Sequence, residues 1–320
     1  MDLVVSSSAL PFDVADFLGS KAQYRAPAAG RMSRQELLDA VAGADALIAL
    51  LRDRVDDELL DAGPGLRVVA NCAVGYDNID VAAATRRGIP VTNTPDVLTE
   101  ATADFAFALL LAAARRVVEG DRWVRAGTWT GWEPGQLLGA SVGGATLGIV
   151  GLGRIGQAVA RRARGFGMDV IYAGPRDVAG AAELGARRAT MNELLAGSDF
   201  VTLHCPLSPQ TRHLIDAAAL AKMRATAILV NTARGGCVDE AALARALEDG
   251  TIGGAGLDVF EREPQVHPEL LTSERVVLAP HAGSATNATR AKMCEICACA
   301  VRDALSGRRP ETVINPEIYR

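Results

Sequence analysis

The sequence predicts an α/β fold of two doubly wound domains, each a parallel sheet covered by helices. Two observations carry this reading. Short β-branched runs alternate with helical stretches along the chain, the pattern of parallel strands joined by crossover helices. Near its middle the chain also holds a glycine turn, Gly151-Leu152-Gly153-Arg154-Ile155-Gly156, set between an apolar strand and a helix. At 320 residues there is room for two domains of ordinary size, each with its own core.

In the first half, Leu3–Ser6, Ala46–Leu50, Arg67–Ala70 and Val91–Asn93 read as strands, with helices at Arg34–Val41, Asp56–Leu60 and Val81–Arg87. The helical run Thr102–Val118 is apolar nearly all round until Arg115 and Arg116. It must be buried on several sides, as a core helix, a subunit interface or both. A second series follows, with strands at Thr146–Val150, Asp169–Ala173, Phe200–His204, Ala227–Asn231, Gly256–Val259 and Arg275–Leu278. Its helices are Ile155–Arg164, Met191–Ala196, Ala217–Met223 and Asp239–Glu248. Six strands with connecting helices fit a doubly wound dinucleotide-binding sheet. The helix Asn287–Leu305 lies beyond the sixth strand and is expected to return to the first domain. That domain is then discontinuous, residues 1–98 plus 286–320, around a dinucleotide-binding domain at 99–285.

Composition excludes several classes. Hydrophobic residues make up 49% and charged residues 22%, ordinary for a water-soluble chain. A formal charge of −5 gives no reason to expect nucleic acid or an anionic membrane as partner. The longest apolar run, Phe105–Ala114, is too short for a bilayer core that needs about 20 residues. Met1–Ser8 lacks a basic segment followed by an apolar core, so no secretory signal is read and a cytoplasmic protein is expected. The six cysteines are scattered, which suits reduced thiols. The cluster Cys294-x-x-Cys297-x-Cys299 falls within one helix, where Cys294 and Cys297 share a face and Cys299 points away. With no second Cys or His cluster nearby, small core residues are expected there and no metal.

The glycine turn has a physical logic. Gly151 permits the tight turn, Gly153 lets the backbone approach a pyrophosphate, and Gly156 lets the helix pack on the strand. Arg154 and Ile155 open the helix, whose unpaired N–H groups face the phosphates. A nicotinamide dinucleotide is therefore expected. At the end of the next strand an acid would bind the adenosine ribose of NAD, but the chain reads Ala173-Gly174-Pro175-Arg176-Asp177. Gly174 stands 18 residues past Gly156 where that acid belongs, and Arg176 suits a 2′-phosphate. NADP(H) is favoured; NAD(H), served by Asp177, stays possible.

Three residues fall at or beyond the carboxyl ends of strands four, five and six: Arg234, Glu263 and His281. Ligands bind at this edge of open α/β sheets. Reducing a 2-keto acid needs a cation for its carboxylate, and arginine grips one with two parallel bonds. It also needs a proton donor for the ketone oxygen, which histidine supplies, and a carboxylate to favour and orient the imidazolium. Of the four histidines, His204 belongs to a strand, while His213 and His267 sit in polar loop-like stretches. His281 is the one delivered to this edge.

With those residues in hand, the chain resembles the D-isomer-specific 2-hydroxyacid dehydrogenase family. The likeness lies in Gly151–Gly156, Asn231–Gly235 with Asp239-Glu240, Gly256-Leu257-Asp258-Val259-Phe260 through Glu263-Pro264, and Pro280-His281-Ala282-Gly283-Ser284. Val74-Gly75-Tyr76-Asp77-Asn78-Ile79-Asp80 and Gly88–Pro95 match as well. The resemblance implies two Rossmann-like/flavodoxin-like doubly wound domains with a cleft between them, and a catalytic trio of Arg234, Glu263 and His281. It implies that the backbone of Val74 and Gly75 helps hold the substrate carboxylate. Asp258 would bind the nicotinamide amide, and Thr102, Thr232, Ala233, His281 and Gly283 would approach the cofactor, with Cys205, Pro206 and Thr211 bordering its adenine end. The segment Trp129–Pro134 is similar to the glyoxylate/hydroxypyruvate reductase branch, where a tryptophan, here Trp132, reaches into the partner subunit's site of a homodimer. The implied reaction is reduction of a small 2-oxo acid to its 2-hydroxy acid. Phosphite oxidation by the same trio, or a dinucleotide-sensing binding protein without catalysis, are the rivals.

Overall fold

Short apolar runs pair side by side into two parallel sheets, one in each of the units into which the chain divides. The computed structural model describes residues 1–319. The first unit is Met1–Leu98 with the chain from Ala285 onward; the second is Thr99–Ser284.

Among the described residues the first unit has five strands: β1 (Asp2–Ser6), β2 (Ala22–Arg25), β3 (Ala46–Ala49), β4 (Val69–Asn71) and β5 (Val91–Thr92). They are ordered β2-β1-β3-β4-β5 and all run parallel. Both faces are covered, which is why β3 is buried at every residue rather than alternating. Leu37, Val41, Leu59, Leu60 and Ala83 pack one face, and Cys297, Ala298 and Val301 of helix Asn287–Leu305 pack the other. β2 was not foreseen. It is an edge strand with Gln23 and Arg25 at exposed positions, so it lacks the apolar run of its neighbours.

The second unit has seven strands where six were expected: β6 (Thr146–Val150), β7 (Asp169–Ala173), β8 (Ala186–Arg188), β9 (Phe200–Leu203), β10 (Ile228–Asn231), β11 (Gly254–Leu257) and β12 (Val276–Leu278), counted among the described residues. The order is β12-β11-β10-β9-β6-β7-β8, all parallel. The addition is β8, whose Ala-Arg-Arg sequence has no β-branched residue. The strand order reverses at β6, which lies between β7 and β9, so the loop leaving β6 opens at the topological switch point.

The run expected as one helix over Thr102–Val118 is two. The first, Thr99–Ala114, buries Phe107, Leu109 and Leu110 in the core of the second unit. Arg116 then takes the left-handed conformation, φ 52°, and starts the separate helix Val117–Arg125, which buries none of its residues. Helix starts elsewhere follow side-chain capping: Ser33 with Glu36 and Thr190 with Glu193 form reciprocal boxes, and Asp56, Asp80, Asp216 and Asp239 cap alone. Among the described residues no helix is long and apolar enough to cross a membrane.

Candidate active site

The loop after β6 shows why glycine is required twice. Gly151 has φ +93°, and a Cβ there would stand 2.9 Å from the His204 carbonyl. At Gly156 a Cβ would meet the Gly151 carbonyl oxygen at 2.3 Å, so the helix Arg154–Gly165 can approach the strand only without a side chain. Gly153 is different: a Cβ there meets nothing within 4 Å, and no side chain caps the helix at that residue. The helix therefore opens on unfilled space with its first N–H groups uncapped by side chains, as a pyrophosphate requires.

Beside this loop lies an open pocket of about 620 Å³, lined by Gly151, Gly174, Cys205 and Thr211, all expected there, and also by Arg188 and Thr190. Thr211 Oγ1 donates to the Pro206 carbonyl at 2.6 Å, which fixes the pocket's rim. Arg176 is exposed in the turn beyond β7 and does not line the pocket. Arg188 does, because parallel pairing sets it opposite Tyr172, near the carboxyl end of β7. Its Nη1 meets Asp177 Oδ1 at 2.9 Å and its Nη2 donates to the Gly174 carbonyl at 3.1 Å. Sequence reasoning missed Arg188 because it missed β8.

The proposed chemistry gathers at the ends of β10, β11 and β12. Asn231 is buried at the end of β10. Its Oδ1 accepts from the Ala233 N–H at 3.0 Å and its Nδ2 donates to the Arg234 carbonyl at 2.9 Å. Arg234 Nη1 donates to the Ala233 carbonyl at 2.8 Å. A Cβ on Gly235 would lie 1.8 Å from the Phe260 carbonyl carbon, so the turns after β10 and β11 touch backbone to backbone. Glu263 folds back on its own turn, accepting the Phe260 N–H on Oε1 at 3.1 Å. Its Oε2 lies 2.8 Å from His281 Nδ1.

His281 adopts φ +53°, a conformation unusual for a residue with a side chain. Asp258 holds it there. The Asp258 carbonyl accepts the His281 N–H at 2.8 Å, Oδ1 accepts from Ala282 at 2.6 Å, and Oδ2 accepts from Gly283 at 2.7 Å. A Cβ on Gly283 would come within 3.1 Å of Asp258 Oδ2 and 3.5 Å of Thr102, so that loop too is closely packed. Burial pushes the Asp258 carboxyl above its ordinary value against the pull of the two N–H bonds. For Glu263 burial also acts upward, but the hydrogen bond and charge of His281, the Phe260 N–H and the charge of Arg234 outweigh it and hold the group below the usual carboxylate range.

The nicotinamide end of the expected cofactor site offers a further sign of fit. Thr232 Oγ1 is buried without a hydrogen-bond partner among the described residues, at the end of β10. That hydroxyl has its hydrogen-bonding capacity open to a ligand at this edge. Asn231, which braces Ala233 and Arg234, appeared in the sequence as part of a motif but with no role of its own.

Val74 and Gly75 belong to the first unit, in the turn after β4. Asn93 Nδ2 donates to the Val74 carbonyl at 2.9 Å and Asn71 Nδ2 to the Gly75 carbonyl at 2.8 Å, two braces that sequence reading did not anticipate. Trp132 stands in an exposed loop of the second unit, 76% accessible. Two of the other histidines are engaged elsewhere: His204 Nε2 with Thr202 Oγ1 at 2.9 Å, and His213 with Glu261. Among the described residues no group of three or more His, Cys, Asp or Glu is placed to hold a metal ion.

The chain is similar in sequence and in fold to known proteins. The profile of the D-isomer specific 2-hydroxyacid dehydrogenase, NAD binding domain, matches residues 107–283. A glyoxylate reductase of Korarchaeum cryptofilum is 54% identical over 90% of this chain and 88% of its own. The crystal structure of the TT0316 protein from Thermus thermophilus superposes with a TM-score of 0.93 at 44% identity, covering 98% of this chain and 99% of that one. An NADPH-dependent glyoxylate/hydroxypyruvate reductase of Sinorhizobium meliloti, solved with NADP and malonate, gives 0.87 at 34% identity, over 98% of this chain and 96% of that one.

Proposed function

The chain belongs to the D-isomer-specific 2-hydroxyacid dehydrogenase family, and from that premise we propose that it reduces glyoxylate, hydroxypyruvate or a similarly small 2-oxo acid, with NADPH preferred over NADH. It is an oxidoreductase that binds a nicotinamide dinucleotide. The observation that carries the reading is the His281–Glu263 pair at 2.8 Å, on the same sheet edge as Arg234 and the glycine loop.

Each residue has a part that its surroundings support. Arg234 grips the substrate carboxylate with its planar fork. Glu263 is ionised and takes Nδ1 of His281, which assigns Nε2 to deliver the proton to the ketone oxygen. Asp258 presents His281 through three backbone hydrogen bonds and, with Thr102, Thr232, Ala233 and Gly283, receives the nicotinamide end. The Gly151–Gly156 loop with Arg154 and Ile155 receives the pyrophosphate. Gly174, Arg176, Cys205, Pro206 and Thr211 serve the adenosine end. The cofactor, when bound, supplies the hydride. The first unit is proposed as the substrate domain, its Val74 and Gly75 N–H groups donating to the carboxylate.

A cytoplasmic homodimer is proposed as the working form. Val117, Val124, Trp129, Trp132 and Leu138 are exposed apolar side chains along and after helix Val117–Arg125, an extent of apolar surface that suits a subunit contact. The test is a panel of 2-oxo acids assayed with NADPH and with NADH, together with phosphite and the oxidised cofactors. Turnover of glyoxylate and hydroxypyruvate with NADPH is expected. Turnover of phosphite alone would move the assignment to that oxidation, and cofactor binding without any turnover would leave a sensor. Sedimentation of the whole chain tests the dimer.

A further inference from the structure

We propose that Arg188 is the residue that selects the cofactor, by offering its guanidinium to the 2′-phosphate of NADPH. The inference rests on the NADPH preference proposed above and names the side chain responsible for it.

Four observations meet here. At Gly174, where the strand ends, a Cβ would touch nothing within 4 Å, so this corner of the pocket is open and lacks a carboxylate of its own. Asp177 is the acid in the turn that follows, and its Oδ1 is held by Arg188 Nη1 at 2.9 Å. The second arm of the guanidinium, Nη2, lies 3.1 Å from the Gly174 carbonyl, which anchors the fork over the strand end. Glu193, the carboxylate that lines the pocket, is committed to its own helix start, where Oε2 accepts from the Thr190 N–H and hydroxyl at 2.8 Å each.

The selection follows from charge. A ribose 2′-hydroxyl seeks a carboxylate acceptor, and Asp177 already faces a cation. A 2′-phosphate brings a doubly charged acceptor with several oxygens, which competes for the same fork better than one exposed carboxylate. Asp177 is 84% exposed and yields its partner at little cost, because surface ion pairs are weak. Arg176, exposed in the same turn, adds a second cation at this rim.

The experiment measures binding to the full-length chain by calorimetry, using adenosine 2′,5′-bisphosphate and 5′-AMP as probes. The unaltered protein is expected to favour the bisphosphate by about tenfold or more, as a charge-assisted contact implies. Arg188→Ala should remove most of that preference and leave 5′-AMP affinity within about twofold; Arg188→Lys should restore part of it, and Asp177→Asn should tighten bisphosphate binding. The kcat/KM ratio of NADPH to NADH should move with the probe ratio. A preference that survives Arg188→Ala overturns the role of Arg188 and leaves the NADPH reading standing. An equal loss for both probes also overturns it, since Arg188 then supports the adenosine pocket as a whole. No preference in the unaltered protein overturns the NADPH reading, and this inference with it.

Discussion

The two flanks of the seven-stranded sheet solve opposite problems. On the β10–β11–β12 side, Asn231, Asp258 and Glu263 spend their hydrogen bonds fixing the turns that carry Arg234 and His281. Asn231 and Asp258 are each about 1% exposed. On the β6–β7–β8 side, the glycine loop is closely packed but the adenosine rim is open, built from the exposed side chains of Arg176, Asp177 and Arg188. The proposed proton transfer needs heavy atoms held to a fraction of an ångström, which suits a flank whose bracing residues Asn231 and Asp258 are buried. Discrimination between two cofactors that differ by one phosphate needs only charge at a rim. On the proposed reading, that flank has room for a change of residue at Gly174, where a Cβ meets nothing within 4 Å.

Four substitutions break or sharpen this contrast. His281→Ala should have the largest effect, lowering turnover by about 10²–10⁴-fold while cofactor affinity, read by fluorescence titration, stays nearly constant. Equal loss of cofactor binding would show that the rigid flank serves the cofactor as much as the chemistry. Glu263→Gln should lower turnover by about 10²-fold, near the smaller end of the acid–base range. It also has a pH signature. The Glu263 carboxyl lies lower in the folded chain than its ordinary value, so its stabilisation is complete above that ordinary value and disappears as pH falls through the depressed one. Urea unfolding of both proteins at neutral and acidic pH should show their stability gap closing on acidification; a gap that widens contradicts the assignment.

The third substitution tests the tightly packed glycine loop on the open flank. Gly156→Ala sets a methyl 2.3 Å from the Gly151 carbonyl oxygen, and overpacking of this kind costs about 1–3 kcal/mol. Thermal unfolding should register it, with weakened binding of either cofactor. Gly174→Asp should do least to the fold, since its Cβ meets nothing within 4 Å. It should move the NADPH-to-NADH ratio of kcat/KM toward NADH by about tenfold, the effect of one charge-assisted hydrogen bond. A marked fall in its melting temperature would mean that the rim is not as independent as its exposure suggests.

The same contrast explains what could be read beforehand. β6 and β7 were legible to the residue because apolar, β-branched runs ended at glycine, and the placement of Arg234, Glu263 and His281 beyond strand ends was legible because each follows such a run. β2 and β8 are edge strands whose exposed positions are polar, so periodicity gave no signal. Arg188 was lost with β8. Helix Thr99–Ala114 was drawn too long because a left-handed residue at Arg116 leaves no mark in composition. Asn71, Asn93 and Asn231 act on carbonyl groups whose positions exist only after the turns fold. Asp258 was expected as a contact for the nicotinamide. Its hydrogen bonds show a second duty, the bracing of His281, that its sequence neighbours did not reveal.

The absence of a side chain at Gly235, where the Phe260 carbonyl passes at less than van der Waals distance from any added Cβ, bears on how such enzymes can be rebuilt. The turns after β10 and β11 are a matched pair. A chimera that takes Asn231–Gly235 from one parent and Phe260–Glu263 from another inherits two halves shaped for different neighbours. Crossovers placed outside both turns, before β10 and after β12, carry the pair across intact, and libraries built that way should retain far more folded members.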